Sequence, residues 1–172
     1  MIINFLIGVA EIIITISIIL IFVLFLWIYN VSVDLKELDK NISNTIKELE
    51  TNGNSILSLI NEINNRSKPH ISYALLIPNI KLEDIRINLN KYNNSIKLIE
   101  DKLDLLYTEL QLQLNDTDNE KLYNSLKECC SNHFCIINRY NTMANKLNIR
   151  LYTFPNNILG KILKIHTKEE VE

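Results

Sequence analysis

The sequence has 172 residues, and its 18 Lys and Arg against 20 Asp and Glu leave a net charge of −2. That balance supplies no basic face of the kind nucleic acid requires. With 3 Gly and 3 Pro, the chain is short of turn residues for an all-β or loop-rich fold, and its composition and spacing point to an all-α chain.

From Ile2 to Tyr29 the only formal charge is Glu11, and Ile12 to Tyr29 carries none. A run of about 18 or more apolar residues is long enough to cross a bilayer as a helix. Residues 1–30 are therefore expected to form a transmembrane anchor. A cleaved signal peptide would show a basic start, a short apolar core and a small-x-small cleavage site. Here no Lys or Arg precedes the run, and it ends in Trp27-Ile28-Tyr29-Asn30, which reads as an interfacial aromatic belt. Lys36, Lys40 and Lys47 follow the span, so the positive-inside rule predicts a single-pass protein of the cell membrane with its bulk in the cytoplasm. Cys129, Cys130 and Cys135 agree, because an odd set clustered in one segment is a poor disulfide framework and suits a reducing compartment. Glu11 reads as a headgroup-level or protonated carboxyl, since the run after it already suffices to span. The competing reading is a functional carboxylate at membrane depth.

After the anchor, residues 31–155 read as one helical domain, with helices at about 31–66, 80–114 and 118–152. In the first, Leu35, Leu38, Ile42, Ile46, Leu49, Ile56, Ile60 and Ile63 recur at steps that place them on one face. The anchor helix is expected to run straight into this segment, with a weak point at Asn52-Gly53-Asn54 and an end near Arg66, before Pro69. Ser67 to Asn79 reads as a connector bracketed by Pro69 and Pro78.

The second helix carries Ile85, Leu89, Tyr92, Ile96, Ile99, Leu103, Leu106 and Leu110 at alternating steps of four and three, the heptad rule of coiled-coil packing. Asn115 to Glu120 breaks the pattern, with Thr117 and Glu120 spaced as a capping box. The third helix repeats the rule through Leu122, Leu126, Cys129, His133, Ile136, Tyr140, Met143 and Leu147. Folded back about Asp116, the two stripes meet position for position: Leu110 with Leu122, Leu103 with Cys129, Ile99 with His133, Tyr92 with Tyr140. The first helix would close this hairpin into an elongated antiparallel three-helix bundle. Residues 156–172 read as a short amphipathic segment, Asn156 to Ile165, and a disordered tail from His166 to Glu172. The segment suits a membrane surface or the open end of the bundle.

Cys129, Cys130, His133 and Cys135 are the one cluster with ligand chemistry. Cys129 and His133 share a helical face, but Cys130 and Cys135 point elsewhere, and a zinc site needs a converging set of four. Nor is a catalytic Cys–His pair favoured, because a reactive thiolate needs an accessible, electropositive setting and an activating third group. No phosphate loop and no isolated carboxylate pair is present. The expectation is therefore no catalytic residue, no metal, no cofactor and no small-molecule substrate.

One stretch resembles a known family. Arg139-Tyr140-Asn141, then Asn148, then Phe154-Pro155-Asn156-Asn157, matches the Tyr-Asn, Asn and Phe-Pro-x-Asn elements of the LemA family of bacterial membrane proteins at the same spacing. Tyr29-Asn30 resembles that family's Tyr-Asn element after the anchor. The chain departs from the family in its first helix, where Ile46 to Asn52 replaces an acidic–Gln–Leu–basic–basic block, and in lacking a Tyr-Pro-Asp-Leu-type element. The resemblance implies a single-pass membrane protein with a cytoplasmic helical bundle and no established catalytic activity. The motif residues Tyr29, Asn30, Arg139, Tyr140, Asn141, Asn148, Phe154, Pro155 and Asn157 are the expected structural or interaction set.

Together these features predict a non-enzymatic, membrane-tethered bundle that scaffolds or docks a protein partner or a second copy of itself. The alternative is a lipid or membrane-surface sensor working through Ile158 to Ile165. A hydrolase, the third class weighed, has no residue set here.

Overall fold

The computed structural model describes residues 2–66, 81–113 and 117–171, with side chains described except at 2–10, 64, 66, 104, 106–113 and 117–119. The described chain is mostly helical and holds no strand: α1 (Ile2–Arg66), α2 (Glu83–Ile87), α3 (Leu89–Gln113), α4 (Thr117–Tyr152) and α5 (Asn156–Leu163). The expected connector Ser67 to Asn79, the turn at Asp116 and the Thr117–Glu120 capping box lie outside the described residues or side chains, as do Leu106 and Leu110. The chain divides into two compact units, Met1–Asp39 with Leu147–Thr167, and Lys40–Lys146 with Lys168–Glu172.

Among the described residues, one helix is long and apolar enough to cross a membrane, and it is α1, near the N-terminus. Its apolar side chains from Ile12 to Tyr29 are all exposed, from 38% at Ile28 to 67% at Ile21. Hydroxyl groups in and just beyond this stretch are satisfied by the helix itself. Thr15 donates to the Glu11 carbonyl, Ser17 to Ile13 and Ser32 to Ile28, each at 2.8 Å. Such back-bonding removes the cost of carrying a hydroxyl into an apolar medium.

In the first unit, Leu35, Leu147, Leu151 and Ile165 are buried. Gly160 of α5 makes this packing possible: a Cβ there would collide with Leu151 Cδ2. The end of α5 is a Schellman motif. Lys164 is left-handed at φ 57°, its N–H donates to Lys161 O at 3.3 Å, and Ile165 N–H donates to Gly160 O at 2.9 Å. The motif turns Ile165 inward, while Ile158 and Ile162, one turn apart on α5, remain 50% and 69% exposed.

In the second unit, α1 buries Ile42, Leu49, Ile56, Ile60 and Ile63, α3 buries Tyr92, Ile96, Ile99 and Leu103, and α4 buries Leu122, Leu126, Cys130, His133, Ile136, Tyr140 and Ala144. Two steps of the expected α4 stripe differ. Cys130 is buried where Cys129 was expected, and Ala144 is buried more fully than Met143. The α4 residues also bury Tyr123 and Ile137, so the face is broader than a two-position heptad seam and follows the 3.6-residue period.

Three further expectations are corrected. Asn52-Gly53-Asn54 is no weak point, because α1 is continuous through it and Gly53 serves a close contact instead: a Cβ there would strike Tyr92 Oη, with Leu82 Cδ2 at 2.8 Å. The second helix is not one run. Asn88, at φ −153° and ψ 84°, separates α2 from α3, and its Oδ1 accepts the Lys91 N–H at 2.9 Å, an N-cap bond that starts α3. Finally, the Tyr92 ring meets His133 edge-on at 5.3 Å between centroids, a full heptad short of its expected partner Tyr140.

Candidate functional site

The best-defined polar constellation on the second unit lies where α4 holds the segment after α5. Tyr140 and Asn141 are adjacent on α4, Tyr140 buried and Asn141 half-buried. The Tyr140 hydroxyl donates to the Glu169 carbonyl at 3.1 Å. The Asn141 amide binds both polar groups of Val171: its Nδ2 donates to the Val171 carbonyl at 2.7 Å, and its Oδ1 accepts the Val171 N–H at 2.8 Å. Val171 is buried while Glu169 and Glu170 are exposed. Backbone groups of residues 169 and 171 both turn to α4. The tail expected to be disordered is thus held at three backbone atoms. Burial, and next the Glu169 charge, push the Tyr140 phenol above its ordinary pKa, so it stays a donor.

A second polar group is built into the core. His133 Nε2 lies 2.9 Å from Asn93 Oδ1, so the proton sits on Nε2 with Asn93 as acceptor. Burial lowers the His133 pKa to about 4 and leaves the ring neutral. His133 Nδ1 and Tyr92 Oη are buried with no hydrogen-bond partner among the described residues. Nearby, Asn52 Nδ2 donates to the Cys129 carbonyl at 2.9 Å, and Asn132 Nδ2 donates to Asn52 Oδ1 at 3.3 Å.

The cysteines do not converge. Cys130 is buried, Cys129 half-buried and Cys135 exposed, and no group of His, Cys, Asp or Glu among the described residues could hold a metal ion. Burial, with smaller contributions from Glu100 and Cys129, pushes the Cys130 thiol up to about 12. Burial, then Glu128, also raises the Cys129 thiol. Both shifts favour the protonated, less reactive form of the thiol.

The expected motif residues are spread out. Tyr29 and Asn30 are exposed on α1. Arg139 pairs with Glu48 at 2.6 Å, so the Arg139-Tyr140-Asn141 run divides its work between an ion pair and the segment after α5. Asn148 is half-buried, Phe154 is 78% exposed, Pro155 follows a cis peptide bond, and Asn157 is exposed, with its N–H donating to the Thr153 carbonyl at 3.0 Å. The partners Glu169 and Val171, the core acceptor Asn93 and the close-contact Gly53 were not anticipated. No sequence signal pointed to the first pair, since the contacts that hold them are to backbone atoms.

Comparison of the chain with protein-family models, with curated proteins and with solved structures finds no match.

Proposed function

We propose that this protein is a membrane-tethered, non-enzymatic docking module, a divergent relative of the LemA family, with a single pass and its bulk on the cytoplasmic side. The observation that carries the reading is α1 itself. One unbroken helix exposes apolar side chains from Ile12 to Tyr29 and then buries Ile42, Leu49, Ile56 and Ile63. An exposed apolar stretch of that length is at home in lipid, and the buried stretch belongs to a folded body. For that body we infer an elongated antiparallel three-helix bundle. Its support is that α4 partners recede as α1 advances: Glu48 pairs with Arg139, and Asn52 with Asn132 and Cys129.

The docking role is supported by long polar helix faces and by a site, Tyr140–Asn141, that grips peptide backbone. The tether is tested by alkaline carbonate extraction of the full-length chain. Wild type stays with the membrane, and a variant with Leu20→Asp and Val23→Asp does not. A wild-type chain released by carbonate overturns the tether. The docking role is tested by photo-crosslinking from exposed positions of α4 in native membranes. A reproducible protein adduct supports it, and adducts to lipid alone overturn it.

The exposure of Ile158 and Ile162 on α5, with Tyr152 79% and Phe154 78% exposed, favours a second reading, a lipid-surface sensor. These are large side chains of the kind an interfacial helix inserts among headgroups. A fluorophore at position 162 of the reconstituted chain should then be quenched by brominated lipids. Unchanged emission removes the reading.

A further inference from the structure

We propose that the Tyr140–Asn141 clamp is a peptide-binding site whose occupant in trans is residues 168–171 of a second copy of this chain, so that exchange of this segment pairs two copies. The contacts that hold the segment are to backbone: one to the Glu169 carbonyl and two to Val171. A main-chain grip of this kind takes its affinity from backbone hydrogen bonds and its selectivity from alternate side chains. Here the alternate side chain is Val171, 7% exposed, after the exposed Glu169 and Glu170.

The occupant seated on the clamp states what fits it: a non-helical backbone carrying a small β-branched side chain after two acids. A second copy carries that same segment. Contacts made in trans are then identical to those made in cis, and the difference in free energy is the effective concentration of the segment. The segment is suited to exchange, since residues 165–171 form no helix and leave α5 through the left-handed Lys164. Copies confined to one membrane would meet at high local concentration. That last step rests on the tether proposed above, whereas the pairing itself does not, and it is therefore tested in detergent micelles.

Two full-length variants separate clamp from occupant. Asn141→Ala destroys the clamp and frees an intact segment. Val171→Asp spoils the segment and leaves an intact clamp empty. Each is labelled with one dye of an energy-transfer pair. Neither variant should self-associate, and the mixture should show transfer. Adding Tyr140→Phe to the Val171→Asp chain should weaken the pairing about fivefold, the loss of one hydrogen bond. A mixture with no more transfer than either variant alone, while circular dichroism shows both helical, overturns the proposal. So does transfer that survives Asn141→Ala on both partners. If either variant loses its helicity, Asn141→Ser and Val171→Ser replace it, with the same outcomes.

Discussion

Asn141 and Val171 are joined as two residues of a β-ladder are joined, although one partner is a side chain on a helix. The amide of Asn141 gives a hydrogen to the Val171 carbonyl and takes one from its N–H, at 2.7 and 2.8 Å. Removing it should release the segment locally and leave the helical core intact. In Asn141→Ala, hydrogen exchange at the Val171 amide is expected to accelerate about tenfold or more, the loss of two bonds each worth roughly 1 kcal/mol. Exchange in α1 and α3 should be unchanged. Equal protection in variant and wild type would show that burial of Val171 alone holds the segment.

His133 makes folding sensitive to acid. Unfolded, its imidazole titrates near 6.5; folded, burial moves it to about 4. The unfolded chain therefore binds the proton more readily, so the neutral His133 contributes fully above about pH 6.5. That contribution is lost as pH falls toward 4, by an amount on the order of 3 kcal/mol. Urea midpoints at pH 7 and pH 4.5 should differ, and the difference should shrink in His133→Phe. Glu50 also adds to acid loss, because its hydrogen bond from Arg86 lowers its pKa, so the comparison with His133→Phe is what isolates the imidazole. A pH dependence unchanged in His133→Phe would show that the carboxylates carry it all.

The helices were legible because burial imposes a period that apolar residues must keep. Leu35, Ile42, Leu49, Ile56 and Ile63 are seven apart and all buried. The break at Asn88 had a local signal, an Asn one place before an apolar-periodic run, but the heptad spacing of Ile85 and Leu89 continues across it and hides it. The placing of Tyr92 against His133 instead of Tyr140 is a shift of one heptad, and two stripes of the same period oppose apolar residues equally well after such a shift, so the pattern does not distinguish them. The hold on the segment after α5 was invisible for another reason. Its bonds reach from side chains to the backbone about thirty residues away, and backbone atoms leave no trace in a sequence.

Gly53 and Tyr92 form a close pair whose energetics can be separated. A Cβ at position 53 would meet Tyr92 Oη and, at 2.8 Å, Leu82 Cδ2. Alanine favours a helix over glycine by about 1 kcal/mol, but forcing a buried ring aside costs about 1–3 kcal/mol. Gly53→Ala should therefore destabilise by about 1 kcal/mol net, read from thermal or urea unfolding. Tyr92→Phe should be neutral or mildly stabilising, since it removes a buried hydroxyl without a partner. In the Tyr92→Phe background the cost of Gly53→Ala should fall, and a double-mutant cycle measures that coupling. Additive effects would show that Leu82, not the hydroxyl, sets the limit.

The three thiols should react in a fixed order with a membrane-impermeant maleimide. Thiolate is the reactive form, so rate follows exposure and acidity. Cys135 is exposed and should label first. Cys129, half-buried with its pKa raised, should follow slowly, and Cys130, buried with a thiol near 12, should label only on unfolding. The order gives a topology assay with an internal control. In intact cells, absence of labelling at Cys135 that appears on permeabilisation places α4 in the cytoplasm. Labelling of Cys135 before permeabilisation places it outside and overturns the proposed orientation. Cys130 reports in the same sample whether the chain was folded: if it labels alongside Cys135, the packing around His133 and Tyr92 has opened.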